Sequence, residues 1–187
     1  MRKILVVIDM QNDFIDGALG SQEAINIVPN VIEKIQTYQQ EGNAIYFTQD
    51  THKEDYLQTQ EGKNLPVLHC IKGTTGWNLH VSINELAEKI QADKKEPVIF
   101  EKGIFGGENL AQVLRNLIDE PSETEIELIG LCTDICVLSN AILFKTYLPE
   151  VLIKVDAACC AGVTPTTHHN ALEAMKMCQI QVINENL

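Results

Sequence analysis

The sequence predicts an α/β fold: a three-layer α/β/α sandwich on a six-stranded parallel sheet with right-handed crossovers. Three observations carry this. Short β-rich runs alternate with helical patterns along the whole length. Most of those runs are continuously apolar, as strands become when helices cover both faces of a parallel sheet. The composition, 45% hydrophobic and 21% charged over 187 residues, suits a chain able to bury a full core without disulfides or a structural metal.

Taken in order, the first strand is Lys3–Ile8, an apolar run stopped by Asp9. Ile25, Val28, Ile32 and Ile35 then recur at helical spacing, and Gly42 ends that helix. Ala44–Thr48 is the second strand. Ser82 and Glu85 have the spacing of a capping box ahead of Leu86 and Ile90, which opens the next helix. Pro97–Phe100 is the third strand, and Leu110, Val113, Leu114 and Leu117 form the stripe of the helix after it. Glu125–Ile129 is the fourth, followed by a helix from Asp134 to Tyr147 that stops before Pro149. After Val151–Val155, Thr164-Pro165 reads as a cap with proline at the first helical position, opening a helix to Met177. Ile180–Ile183 closes the set. No repeat, low-complexity tract or linker interrupts this pattern, so residues 1–187 read as one domain.

Basic residues number 14 and acidic ones 26, a formal charge of −12. A polyanion or an anionic membrane would be repelled, which argues against nucleic-acid and membrane partners. The apolar run Ile4–Ile8 is too short for a signal-peptide core or a membrane span. A cytoplasmic location is therefore expected, with the six cysteines held as thiols. None forms a Cys-x-x-Cys pair, so a zinc ribbon or thioredoxin-type site has no support. Cys159 and Cys160 read as packing residues after the fifth strand, and Cys70 and Cys178 as core thiols.

Residues 49–81 break the rhythm with a long, polar, Gly-containing connection, and loops of that length in compact domains are usually functional. In α/β sheets ligands bind beyond the carboxyl ends of the strands. Those ends offer Asp9, then Asp50-Thr51-His52, then Glu101-Lys102, then Cys132-Thr133-Asp134-Ile135-Cys136. An acid, an ammonium and a thiol thus converge on one rim. Cys136, in the first turn of its helix, would have its thiolate favoured by free N–H groups and the macrodipole. Asp9 is placed to accept its proton, and Lys102 to hold Asp9 and stabilise the anion. Taken singly, each has a plainer role: a loop cap, a core thiol, a solvated lysine.

The run Asp9-Met10-Gln11-Asn12-Asp13-Phe14, with Lys102 and Ile129-Gly130-Leu131-Cys132-Thr133-Asp134-Ile135-Cys136-Val137, resembles the isochorismatase-like cysteine hydrolase superfamily over nearly the whole chain. The resemblance implies sheet order 3-2-1-4-5-6 and a catalytic triad of Asp9, Lys102 and Cys136. It also implies a cis peptide at Leu131–Cys132 that turns the N–H of Cys132 toward that of Cys136 as an oxyanion hole. Within the superfamily, Asp50-x-His52 followed by His69 resembles the nicotinamidases. That implies a divalent metal on Asp50, His52 and His69, with Glu61 as a further candidate ligand. Zinc is the first expectation, with iron and manganese as alternatives. The implied activity is hydrolysis of nicotinamide or a similar small carboxamide through a thioester. Phe14, Leu65, Phe105 and Leu131 would line the substrate pocket, and homo-oligomers are expected. Thr51 and Leu65 depart from the aromatics common in that branch, so Trp77 is weighed as a ring-stacking residue and as a plug under the long loop.

Two other readings stand beside this one. The same triad could act on another amide, a carbamoyl compound or an isochorismate-like vinyl ether. Alternatively, the fold could serve as a non-catalytic binding domain with Cys136 buried and inert. A dinucleotide site has least support, because Ile8-Asp9-Met10-Gln11 has no glycine-rich turn.

Overall fold

The computed structural model describes residues 1–185; Asn186 and Leu187, included in the one-domain reading, lie outside the described residues. The strands are β1 (Arg2–Ile8), β2 (Ala44–Asp50), β3 (Ile99–Lys102), β4 (Thr124–Leu131), β5 (Leu152–Ala161) and β6 (Gln181–Ile183). They pair in parallel in the order β3-β2-β1-β4-β5-β6, as predicted. The helices are α1 (Asn12–Ile15), α2 (Gln22–Gln40), α3 (Gln60–Asn64), α4 (Val81–Ala92), α5 (Glu108–Leu117), α6 (Leu138–Tyr147) and α7 (Pro165–Met177).

β1 shows why its run is continuously apolar. Leu5 and Val7 pack into one core with α2 and α4, while Ile4, Val6 and Ile8 pack into the opposite core with α5, α6 and α7. Each such side chain contributes roughly 1.5–3 kcal/mol by leaving water. The chain runs from β1 outward to β2 and β3, then returns to β4 on the other side of β1. That reversal opens a crevice beyond the carboxyl ends of β1 and β4.

Several local expectations are corrected. α2 buries Ala24, Ile27, Val28, Val31, Ile35 and Tyr38, whereas Ile25 is exposed. Polar anchors decide that phase: the Tyr38 hydroxyl donates to Glu127 at 2.8 Å, and the Lys34 ammonium reaches Glu127 and Asp156 at 2.8 and 2.6 Å. α4 starts at Val81 with His80 as its cap, so Ser82 lies inside the helix and forms no capping box. The cause is upstream, where the amide of His80 donates to Met10 O and that of Asn12 to Asn78 O. This pairing holds the chain extended up to His80. β3 begins after Pro97, β5 includes Cys159 and Cys160, and Val113 faces solvent. All six cysteines are free, and Cys178 is exposed instead of buried in a core. At α7, the Thr164 cap, the proline at the first position and the end at Met177 agree with the sequence.

Candidate active site

Asp9 leaves β1 with φ +45° and is fully buried. Its amide donates to Thr48 Oγ1 at 3.2 Å, and the Thr48 hydroxyl donates back to Asp9 Oδ1 at 2.7 Å. Thr48 carried no sequence signal, since its partner stands on another strand. Asp50 and Lys102 were expected just past their strands; instead they are the last residues of β2 and β3 and face each other in register. Lys102 Nζ lies 2.7 Å from Asp9 Oδ2, 3.2 Å from Asp50 Oδ1 and 3.5 Å from Cys136 Sγ. Asp9, Lys102 and Cys136 therefore converge. Cys136 is 5% exposed and sits in a wide π-type turn, Thr133–Val137, that precedes α6. The peptide bond Leu131–Cys132 is cis. The Cys132 amide donates no hydrogen bond to surrounding loops and turns among the described residues.

The helix start was expected to favour the Cys136 thiolate, and burial opposes it. Burial pushes the Cys136 thiol well above its ordinary value, and the carboxylate of Asp9 pushes it further, outweighing the lowering by Lys102. Burial also raises the Asp9 carboxyl, despite the opposing pull of Lys102. For Lys102 burial acts downward, but the charges of Asp9, Cys136 and Asp50 overcome it and hold the ammonium well above the usual lysine range. The cluster thus sets a thiol pushed up by burial beside a carboxyl of raised basicity and an ammonium held in its charged form by its neighbours.

Asp50 also borders a second cluster. The ligand atoms of Asp50, His52 and His69 all lie within 4.8 Å of one another. His69 Nδ1 stands 2.8 Å from Val67 O, and because a carbonyl only accepts, Nδ1 is the donor, which in the neutral ring leaves the lone pair on Nε2. His52 Nε2 is buried and 2.9 Å from Asp50 Oδ2, yet the two are misaligned for a hydrogen bond. Both atoms are free to share a third partner. Glu61 Oε1 lies 3.7 Å from His52 Nε2. One carboxylate and two imidazole nitrogens are a donor set that fits zinc or a neighbouring first-row divalent ion.

The long connection earns its order from the β1–α1 corner. Gln11 Nε2 donates to Asp50 O at 2.8 Å, while Asp50 N donates to Gln11 Oε1 at 2.7 Å. Asp13 Oδ2 accepts from the amide of Cys70 at 2.7 Å, next to His69. Tyr56, absent from the sequence reading, packs its ring 4.6 Å from His52 and 4.9 Å from His69. A short helix capped by Thr59 carries Glu61 to the cluster.

Both clusters border a cavity of about 870 Å³. Phe14, Leu65, Phe105 and Leu131, all four predicted wall residues, line it beside Cys136, and no lysine or arginine does among the described residues. Trp77 is not in the wall; its indole N–H donates to Thr51 Oγ1 at 2.9 Å beneath the loop. His168, on the first turn of α7, is half-buried with Nδ1 2.8 Å from Thr133 Oγ1.

Residues 3–186 match the Isochorismatase domain family. A solved nicotinamidase of Bacillus subtilis is 30% identical, superposes with TM-score 0.82, and the match covers 97% of this chain and 99% of that one. A pyrazinamidase of Pyrococcus horikoshii, solved in complex with zinc, is 26% identical with TM-score 0.79, over 98% and 99% of the two chains. The nicotinamidase of Schizosaccharomyces pombe is 23% identical over 97% of this chain and 92% of its own length. The chain belongs to the isochorismatase family. Within that family it is a hydrolase of the nicotinamidase-like branch.

Proposed function

We propose that the protein is a metal-dependent cysteine amidase of nicotinamidase type, converting a small neutral carboxamide to the acid and ammonia. The observation that carries this reading is the contact chain from Asp9 Oδ2 through Lys102 Nζ to Cys136 Sγ, at 2.7 and 3.5 Å, beside the cavity that Asp50, His52 and His69 also border.

Asp9 takes the proton of the Cys136 thiol, and its raised pKa makes it a better acceptor than an ordinary carboxylate. The sulfur attacks the carboxamide carbon while Lys102 balances the charge passing between Asp9 and Cys136. The N–H groups of Cys132 and Cys136 hold the oxyanion, and such donors supply about 3–4 kcal/mol each. Asp9 returns the proton to the leaving ammonia. It then activates the water that cleaves the thioester, releasing the acid. Asp50, His52 and His69, with Glu61 as a further ligand, would hold the divalent ion, zinc first. When bound, that ion supplies a Lewis-acid anchor for a ring nitrogen of the substrate. Phe14, Leu65, Phe105 and Leu131 provide the apolar walls for the ring.

The lack of lysine and arginine in the wall, among the described residues, bears on the alternatives. A dianionic vinyl ether such as isochorismate would enter a cavity with no lysine or arginine in its lining among the described residues, whereas a neutral amide meets no such obstacle. The volume of about 870 Å³ also admits carboxamides bulkier than nicotinamide, which keeps a different amide in view. Ammonia release from nicotinamide by zinc-loaded protein, with and without chelator, tests the reading. Turnover that is lost on chelation supports it. No turnover of nicotinamide by the loaded protein removes that substrate, and no turnover of any carboxamide removes the amidase.

A further inference from the structure

Asn140 lies on the first turn of α6, outside the triad, the metal cluster and the cavity wall, and it is completely buried. Its side chain makes three hydrogen bonds. Oδ1 accepts from the amide of Gly107 at 2.9 Å, and Nδ2 donates to Phe105 O at 3.0 Å and to Cys136 O at 2.8 Å. Only one orientation of the amide satisfies all three, since one neighbour is a donor and two are acceptors. The Phe105 and Gly107 bonds tie α6 to the segment that follows Lys102 on β3. The third bond grips the carbonyl of Cys136 inside the wide turn.

We propose that Asn140 is a positioning residue that locks the turn carrying Cys136 against the Phe105 wall of the pocket. Lys102 and Phe105 lie on one side of this lock and Cys136 on the other, so the lock sets both the Lys102–Cys136 separation and the distance from nucleophile to wall. Nothing else in the sequence marks it: a lone asparagine four residues after a cysteine reads as an ordinary helix residue. Gly107 belongs to the same device. A Cβ there would stand 3.3 Å from Asn140 Oδ1, tight enough to push the amide outward. Its role in turnover rests on the amidase reading, while its hold on the Cys136 turn does not.

The test compares zinc-loaded wild type with Asn140→Asp and Gly107→Ala, each checked for folding by a thermal melt. Iodoacetamide alkylation is followed cysteine by cysteine by peptide mapping, and kcat and KM for nicotinamide and a two-ring carboxamide are scaled to titratable Cys136. Asn140→Asp keeps the acceptor for Gly107 but deprives two carbonyls of their donor. The expected result is faster alkylation at Cys136 with Cys70 unchanged, kcat per site lower by about tenfold or more, and an altered KM ratio between the two amides. Gly107→Ala moves the same readouts in the same direction by less. A folded variant with unchanged Cys136 alkylation, kcat per site and KM ratio overturns the proposal. If Asn140→Asp does not fold, Gly107→Ala decides alone. If wild type turns over no carboxamide, the amidase reading fails and the alkylation pattern by itself decides the role of Asn140.

Discussion

Asp50 and Lys102 face each other at the last rung of the β2–β3 pair, Oδ1 3.2 Å from Nζ, and this ion pair joins the nucleophile cluster to the imidazole cluster. Asp50 Oδ2 turns the other way, 2.9 Å from His52 Nε2 and 3.7 Å from His69 Nε2. One carboxylate therefore serves both halves of the site.

Removing the cation should show this. Lys102→Met leaves Asp9 and Asp50 buried without their partner, and an uncompensated buried charge costs about 3–5 kcal/mol. Urea unfolding of chelated protein is expected to show a loss of that order, together with loss of amide turnover. A variant as stable as wild type would mean that the carboxyls are protonated in the folded state.

The pH dependence follows from the same cluster. Asp9 has a folded pKa above its ordinary 3.8, so its contribution to stability is complete below that value and declines as pH rises through the folded one. Catalysis needs the ionised form, so kcat/KM for ammonia release should fall on acidification with a midpoint above 3.8. Lys102, raised well above 10.5, keeps its contribution up to that pH and loses it only on passing the folded pKa. No alkaline loss from Lys102 is expected below 10.5. A pH–rate profile whose acid midpoint lies at or below the ordinary carboxylate value contradicts this account.

Metal analysis gives an independent check. The protein is expected to bind one divalent ion per chain, and chelation should both stop turnover and lower the melting temperature, because an ion bound only to the folded state stabilises it by mass action. His69→Ala removes the Nε2 lone pair aimed at Asp50 and His52 and is expected to abolish stoichiometric zinc binding. Wild-type zinc content in that variant would place the ion elsewhere.

Outside both clusters and the cavity wall, Lys34 bridges two carboxylates, Glu127 and Asp156, at 2.8 and 2.6 Å. Lys34→Met strands both in the interior, at a cost of about 3 kcal/mol. Turnover of the folded fraction should stay at the wild-type level. Urea titrations measure the first claim and initial rates the second.

Gly130 supplies a backbone test. It adopts φ +117°, and a Cβ there would meet Ile8 O at 2.1 Å, backbone against backbone on the central strand pair. Gly130→Ala is expected to cost more than about 3 kcal/mol and to yield little folded protein. Soluble variant with the wild-type melting temperature would show that β1 and β4 can separate locally.

Much of this is legible in the residues alone. The continuous run Ile4–Ile8 implies a doubly covered strand, and Asp9, Lys102 and Cys136 each fall at or shortly after the end of an apolar run. The phase of α2 was not legible, because Ile25 and Ile32 make as good a stripe as Ala24 and Val31 until Tyr38 and Lys34 find Glu127. Nor was the start of α4, which depends on Met10 pairing with His80.

By itself the sequence determined the alternation of strands and helices, the sheet's double coverage and the residue types at its carboxyl rim, since these follow from periodicity among near neighbours. Only the tertiary structure decided that burial pushes the Cys136 thiol up, that Asp50 serves two clusters and that Thr48 holds Asp9. Those facts arise from charges and hydrogen bonds between residues far apart in the chain, in an interior where burial strengthens every one of them.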